Sequence, residues 1–117
     1  MNRKHLIYKH LLELGVPANL KGYKCMAEAI NIVLTCPEVV NRFTTVVYPT
    51  VGQRLSSTSS RVERAIRHAV EVVFSNTDVD VLYEYFGNAI SQKRGKVTSS
   101  QFIMAVAEKI RMEEYDD

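Results

Sequence analysis

Six segments of this sequence repeat their apolar residues at helical spacing, and that periodicity constrains the fold more than any other feature. His5–Leu14 carries Leu6, Ile7, Leu11 and Leu14, and Gly22–Thr35 carries Met26, Ile30, Val33 and Leu34. Val39–Val47 carries Val39, Val40, Phe43, Val46 and Val47, and Ser60–Phe74 carries Val62, Ile66, Ala69, Val70 and Val73. Val79–Phe86 carries Val79, Leu82, Tyr83 and Phe86, and Gln101–Arg111 carries Phe102, Ile103, Val106 and Ile110. Breaks fall at Gly15-Val16-Pro17-Ala18-Asn19, Cys36-Pro37, Tyr48-Pro49, Asn76-Thr77-Asp78 and Arg94-Gly95-Lys96. Strand-like alternation is confined to two short runs, Thr45–Tyr48 and Asp78–Leu82. The expectation is an all-α fold, a compact bundle of about six helices, in one domain over 1–117.

End signals support those segments. Ser60-Arg61-Val62-Glu63 and Thr98-Ser99-Ser100-Gln101 both fit the capping box, in which a hydroxyl and an acid or amide three residues on satisfy orphan N–H groups. Pro37 and Pro49 suit first helical positions, where a missing N–H costs nothing. Gly87 suits a left-handed cap after Val79–Phe86.

Composition closes off several function classes. No apolar run reaches the roughly 18–20 residues of a membrane helix, and Met1–His10 lacks the apolar stretch of an export signal. Cys25 and Cys36 are too few for a disulfide framework, so a cytoplasmic protein whose reduced cysteines are small core residues is expected. His5, His10 and His68 form no metal-ligand spacing, and the two cysteines do not complete one. No phosphate-binding glycine loop or nucleophile–base pairing is visible, so neither an enzyme nor a cofactor or small-molecule substrate is expected. His68, as a phosphoryl acceptor, would lack an acid or base beside it.

Charge is unevenly distributed. Through Arg67 there are 10 basic and 4 acidic residues, and from His68 onward 5 basic and 9 acidic. Such asymmetry points to one face for a polyanion and another that avoids it.

The stretch Tyr48–Val73 carries the most information. It reads as a short helix opened by Pro49, a hydroxyl-rich turn at Ser56-Ser57-Thr58-Ser59, and a longer helix from Ser60, the order of a helix-turn-helix. Gly52 is the small residue expected where the two helices cross. Ser56 stands where many such units place glycine, which predicts a longer or differently shaped turn. On the second helix Val62, Ile66, Ala69 and Val73 should face inward, leaving Ser60, Glu63, Arg64, Arg67 and Glu71 outward, flanked by Arg61 and His68. Arg64 and Arg67, one turn apart, suit bidentate bonding to guanine, and Glu63 suits a cytosine amine or, alternatively, the capping box. The hydroxyls of Thr58, Ser59 and Ser60 and the N–H groups of the helix start are suited to phosphate. Arg54, at the end of the first helix, and the basic loop Lys93-Arg94-Gly95-Lys96 are further phosphate candidates. The same arginine face also fits a solvated helix, or a helical module for an acidic protein partner.

The string Ser60-Arg61-Val62-Glu63-Arg64-Ala65-Ile66-Arg67-His68-Ala69-Val70-Glu71-Val72 resembles the recognition helix of the stage-zero sporulation response regulators. Gly15-Val16-Pro17-Ala18, Lys21-Gly22-Tyr23, Glu28-Ala29-Ile30, Tyr48-Pro49, Phe86-Gly87 and the Phe102-Ile103, Val106-Ala107, Lys109-Ile110-Arg111 pattern resemble the same family's effector domain in the same order, over roughly Leu11 to Glu113. The resemblance implies a six-helix effector domain that binds promoter elements like 5′-TGTCGAA, often in tandem or as a dimer, to activate or repress sporulation genes. It implies Glu63, Arg64 and Arg67 as base readers, with Ser60, Arg61 and His68 against phosphates. It also implies contact with the sigma subunit of RNA polymerase through Thr77–Ile90, where Asp78, Asp80 and Glu84 form an acidic patch. Two features depart from the family: no phosphoacceptor receiver segment is present in the sequence, and the tail Glu113-Glu114-Tyr115-Asp116-Asp117 is more acidic than expected.

Overall fold

A computed structural model describes residues 2–90 and 95–116. The described residues form six α-helices and no strand: α1 (Arg3–Glu13), α2 (Lys21–Thr35), α3 (Tyr48–Arg54), α4 (Ser59–Asn76), α5 (Val79–Phe86) and α6 (Ser99–Asp116). None of these helices is long and apolar enough to cross a membrane.

Helix α2 is the axis of the bundle, and its composition explains why. Small and aliphatic residues occupy nearly every side of it, and Gly22, Cys25, Met26, Ala29, Ile30 and Val33 are all buried. Helices α1, α3, α4 and α6 pack around it, and its polar residues Lys21, Lys24, Glu28, Asn31 and Thr35 share the one stripe left toward water. The crossing with α4 is the tightest: a Cβ on Gly22 would lie 2.4 Å from the Ala65 carbonyl oxygen and 2.7 Å from the Ala69 Cβ. The core continues through Leu11, Leu14, Val51, Ile66, Phe102 and Ile110, all fully buried. A chain of aromatic contacts, Phe74 to Phe86 to Phe102, joins α4, α5 and α6 at centroid separations of 5.4 and 5.0 Å.

Two expectations about the helices fail. Val39–Val47 is not one α-helix. Pro37–Asn41 is a 3-10 helix, the chain breaks at Arg42 (φ −131°), and Phe43–Val47 forms a π-helical turn running into α3. The segment is dense in β-branched residues, which crowd an α-helical turn. Widening the turn lets the Arg42 carbonyl accept from both Val46 (2.8 Å) and Val47 (3.1 Å). Val39, Phe43 and Val47 then all reach the core at i, i+4 and i+8, while Val40 and Val46 are only half-buried. In α5, Leu82, Tyr85 and Phe86 are buried, whereas Val79 and Tyr83, expected inside, are 60% and 59% exposed. The other apolar stripes face the core as the periodicity requires.

The caps divide similarly. Thr98 forms the expected box: its N–H donates to Gln101 Oε1 (2.9 Å) and its hydroxyl accepts from the Gln101 N–H (3.2 Å). Gly87 ends α5 at φ +46°, although its ψ of −120° lies outside the left-handed helical region. Pro37 opens its 3-10 turn, and Pro49 sits in the first turn of α3.

The last turns of α6 fold onto α1, with the acidic tail meeting basic side chains. Arg3 donates to both oxygens of Glu114 at 2.8 and 3.1 Å, and Lys9 reaches Glu113 at 3.4 Å. His10, 3% exposed, bonds Glu113 through Nε2 and the Tyr85 hydroxyl through Nδ1 at 2.6 Å, while that hydroxyl donates to Glu13 at 2.7 Å.

Candidate nucleic-acid interface

The stretch from α3 to α4 is a helix-turn-helix held by backbone bonds. Ser57 N–H donates to the Gly52 carbonyl at 2.7 Å, and Ser56 N–H reaches Gln53 at 3.5 Å. This pair is the Schellman arrangement, which needs the residue after the helix cap in the left-handed region. Ser56 takes that place at φ +53°, the only positive φ outside glycine among the described residues. The turn is thus neither longer nor reshaped; serine adopts the glycine conformation. Gly52 sits at the close approach expected of it: a Cβ there would lie 3.1 to 3.3 Å from the backbone of Ser57–Ser59.

The start of α4 differs from the expected box. Thr58, not Ser60, is the N-cap, and its hydroxyl accepts from the Arg61 N–H at 3.2 Å. The helix begins one residue earlier than its apolar stripe suggested, because Thr58 has extended backbone angles and Ser59 is already helical. Glu63 is therefore beyond the reach of a capping box, and it pairs instead with Arg67 one turn on, at 3.2 Å. Beneath it, burial and then the Glu63 charge push the Tyr48 hydroxyl up to about 12.

The face of α4 opposite the core is polar. Val62, Ile66, Ala69, Val70 and Val73 are buried, while Ser60, Arg61, Arg64, Arg67, His68 and Glu71 are exposed and Glu63 is half-buried. Arg64 has no ion-pair partner among the described residues. Thr58 is exposed and Ser59 half-buried beside the turn. Arg54 lies at the end of α3 and reaches Glu28 of α2 at 3.7 Å.

Two grooves run along the flanks of α4. One, of about 860 Å³, runs along the line where the start of α2 crosses it and is lined by Lys21, Lys24, Arg61, Arg64, His68 and the Ser56–Ser57 turn. The other, of about 420 Å³, lies toward the start of α6, where Lys96, Thr98, Ser99 and Ser100 face Glu63, Arg67 and Glu71. Lys93 and Arg94 lie outside the described residues. Lys21 and Lys24 were not among the expected contacts. Their positions break no pattern in the sequence, and only the packing of α2 on α4 brings them to this face.

The acidic residues expected at a protein contact have unequal freedom. Asp78 caps α5 by accepting from the Asp80 N–H at 2.8 Å, and Glu84 pairs with Lys109 at 3.4 Å. Asp80 is exposed and unpaired among the described residues, beside the exposed Val79 and Tyr83. A family model described as the C terminal of the sporulation initiation factor Spo0A matches residues 7–110.

Proposed function

Because this chain belongs to the family of Spo0A C-terminal domains, DNA-binding transcription regulators of sporulation initiation, we propose that α4 enters the major groove of promoter elements resembling TGTCGAA. The observation that carries this is the outward face of α4. Arg64 and Arg67 stand exposed one turn apart on the second helix of a helix-turn-helix that starts in hydroxyls. A guanidinium fork matches guanine O6 and N7, and an arginine with no carboxylate to leave binds at least cost. Arg64 is therefore the principal reader. Arg67 reads the neighbouring position after sharing or releasing Glu63, whose carboxylate accepts from a cytosine amine.

Phosphate contacts fix the register without reading sequence. Ser60, Arg61 and His68 supply them along α4, Thr58 and Ser59 at the turn, Arg54 at the end of α3, and Lys93, Arg94 and Lys96 before α6. One helix covers only a few base pairs, so tandem or dimeric binding supplies the remaining specificity. The chain acts as one effector unit in this reading.

Substituting Arg64→Ala or Arg67→Ala should each weaken specific binding by about 1–3 kcal/mol and flatten discrimination at particular base pairs. Wild-type affinity and base preference in both variants would sink the assignment. The exposed face of α5 suits a basic partner surface, and we assign it to the sigma subunit, with Asp80 as the free charge and Asp78 and Glu84 beside it. Asp80→Asn with Glu84→Gln should lower activated transcription in a purified system without changing DNA affinity. Unchanged transcription would remove the sigma contact from this face.

A further inference from the structure

Of the seven lysines and arginines without an ion pair among the described residues, four lie together while Lys4, Arg42 and Lys96 lie elsewhere. Arg3 and Lys9 are engaged by Glu114 and Glu113, Arg54 by Glu28, and Arg67 by Glu63. Lys21, Lys24, Arg61 and Arg64 have no ion pair among the described residues, and all four are exposed. All four line the single groove between the start of α2 and α4, and no carboxylate lines it with them. Four like charges facing one another across a groove repel, and a polyanion laid between them relieves that repulsion.

We propose that this groove seats one sugar–phosphate strand of the DNA, and that Lys21 and Lys24, outside the helix-turn-helix, are its phosphate contacts. The inference rests on α4 being the major-groove helix. A helix in that groove, which is roughly 12 Å wide, has a phosphate backbone along each flank. The flanks of α4 are not alike. Toward α6 the cations Arg67 and Lys96 are accompanied by Glu63 and Glu71 among the described residues. Toward α2 the cations are uncompensated.

The residue types divide the labour further. Lysine is a compact point charge suited to a phosphate oxygen, whereas the arginine fork suits a base edge. The lysines are also held at a fixed offset from the reading helix. Gly22, next to Lys21, lets α2 approach the Ala65 carbonyl so closely that no side chain intervenes. Docking α4 therefore sets the distance of both lysines from the strand without a further adjustment of the chain.

The test is the salt dependence of binding to a duplex with tandem TGTCGAA-like elements and to a scrambled one. It compares wild type, Lys21→Gln/Lys24→Gln, and the charge-keeping Lys21→Arg/Lys24→Arg. Neutralising both lysines should lower the slope of log affinity against log salt by about 0.9 for each phosphate that a lysine no longer neutralises. The ratio of affinities for the two duplexes should stay at the wild-type value, and the arginine variant should keep the wild-type slope. An unchanged slope in the glutamine variant, with wild-type sequence preference, overturns the inference and leaves the α4 reading standing. Loss of sequence preference along with the slope overturns it too, since phosphate contacts do not read bases. If the wild-type chain has no preference between the duplexes, the α4 reading itself fails and this inference falls with it.

Discussion

Ser56 shows how one residue can be at odds with its place. Its φ of +53° puts an L side chain in a region that costs on the order of 1 kcal/mol, held there by the two turn bonds to Gly52 and Gln53. Ser56→Gly should therefore raise stability by about 1 kcal/mol, read as a later midpoint in urea unfolding. A lower midpoint would mean that the serine is not strained in this turn. Arg64 and Arg67 illustrate a different contrast: the same residue type on the same face, one unpaired and one held by Glu63. The sequence placed both outward, yet it assigned Glu63 an alternative role in a cap. That ambiguity arose because Thr58, Ser59 and Ser60 all suit an N-cap, and only the backbone angles distinguish them.

At the level of helices, periodicity was legible wherever packing demanded a single face. The stripes of α1, α2, α4 and α6 point inward as read, because each of these helices lies against others along its length. It was misleading in the short pieces. In α5, eight residues carry six apolar ones, so spacing alone does not choose which of them face water. Between Pro37 and Val47 the apolar spacing is helical, but β-branched crowding converts the chain into a 3-10 turn and a π turn. The crossing of α2 and α4 was also out of reach, since Gly22 reads like any glycine until its neighbour is known. Gly22→Ala should destabilise the protein by about 1–3 kcal/mol or more, because the atom met by the new methyl is a backbone carbonyl that has little freedom to yield. Wild-type stability in that variant would show that the helices are further apart than 2.4 Å implies.

For the whole molecule, the two halves of the sequence are not two faces. Basic α1 and the acidic end of α6 meet and pair with one another, and four of the cations left unpaired among the described residues line the groove beside α4. The same meeting makes the fold sensitive to acid. Arg3 holds the Glu114 carboxyl below its ordinary value through its hydrogen bond, against some burial. For Glu113 burial works upward, and the bonds and charges of His10 and Lys9 together outweigh it. A carboxyl lowered in the folded state contributes stability above its unfolded value near 4.5, and that contribution disappears as pH falls through the folded value. Glu113→Gln/Glu114→Gln should be less stable than wild type at about pH 7, and the two urea midpoints should converge near about pH 3. Midpoints that stay equally far apart across that range would remove these carboxylates from the acid response. The central claim, that the exposed face of α4 reads sequence, is tested most directly by titrating the wild-type chain against the tandem TGTCGAA-like duplex and its scrambled counterpart. The account predicts a preference of roughly a thousandfold or more that persists as salt is raised. Equal binding to both duplexes, abolished in parallel by added salt, would contradict it.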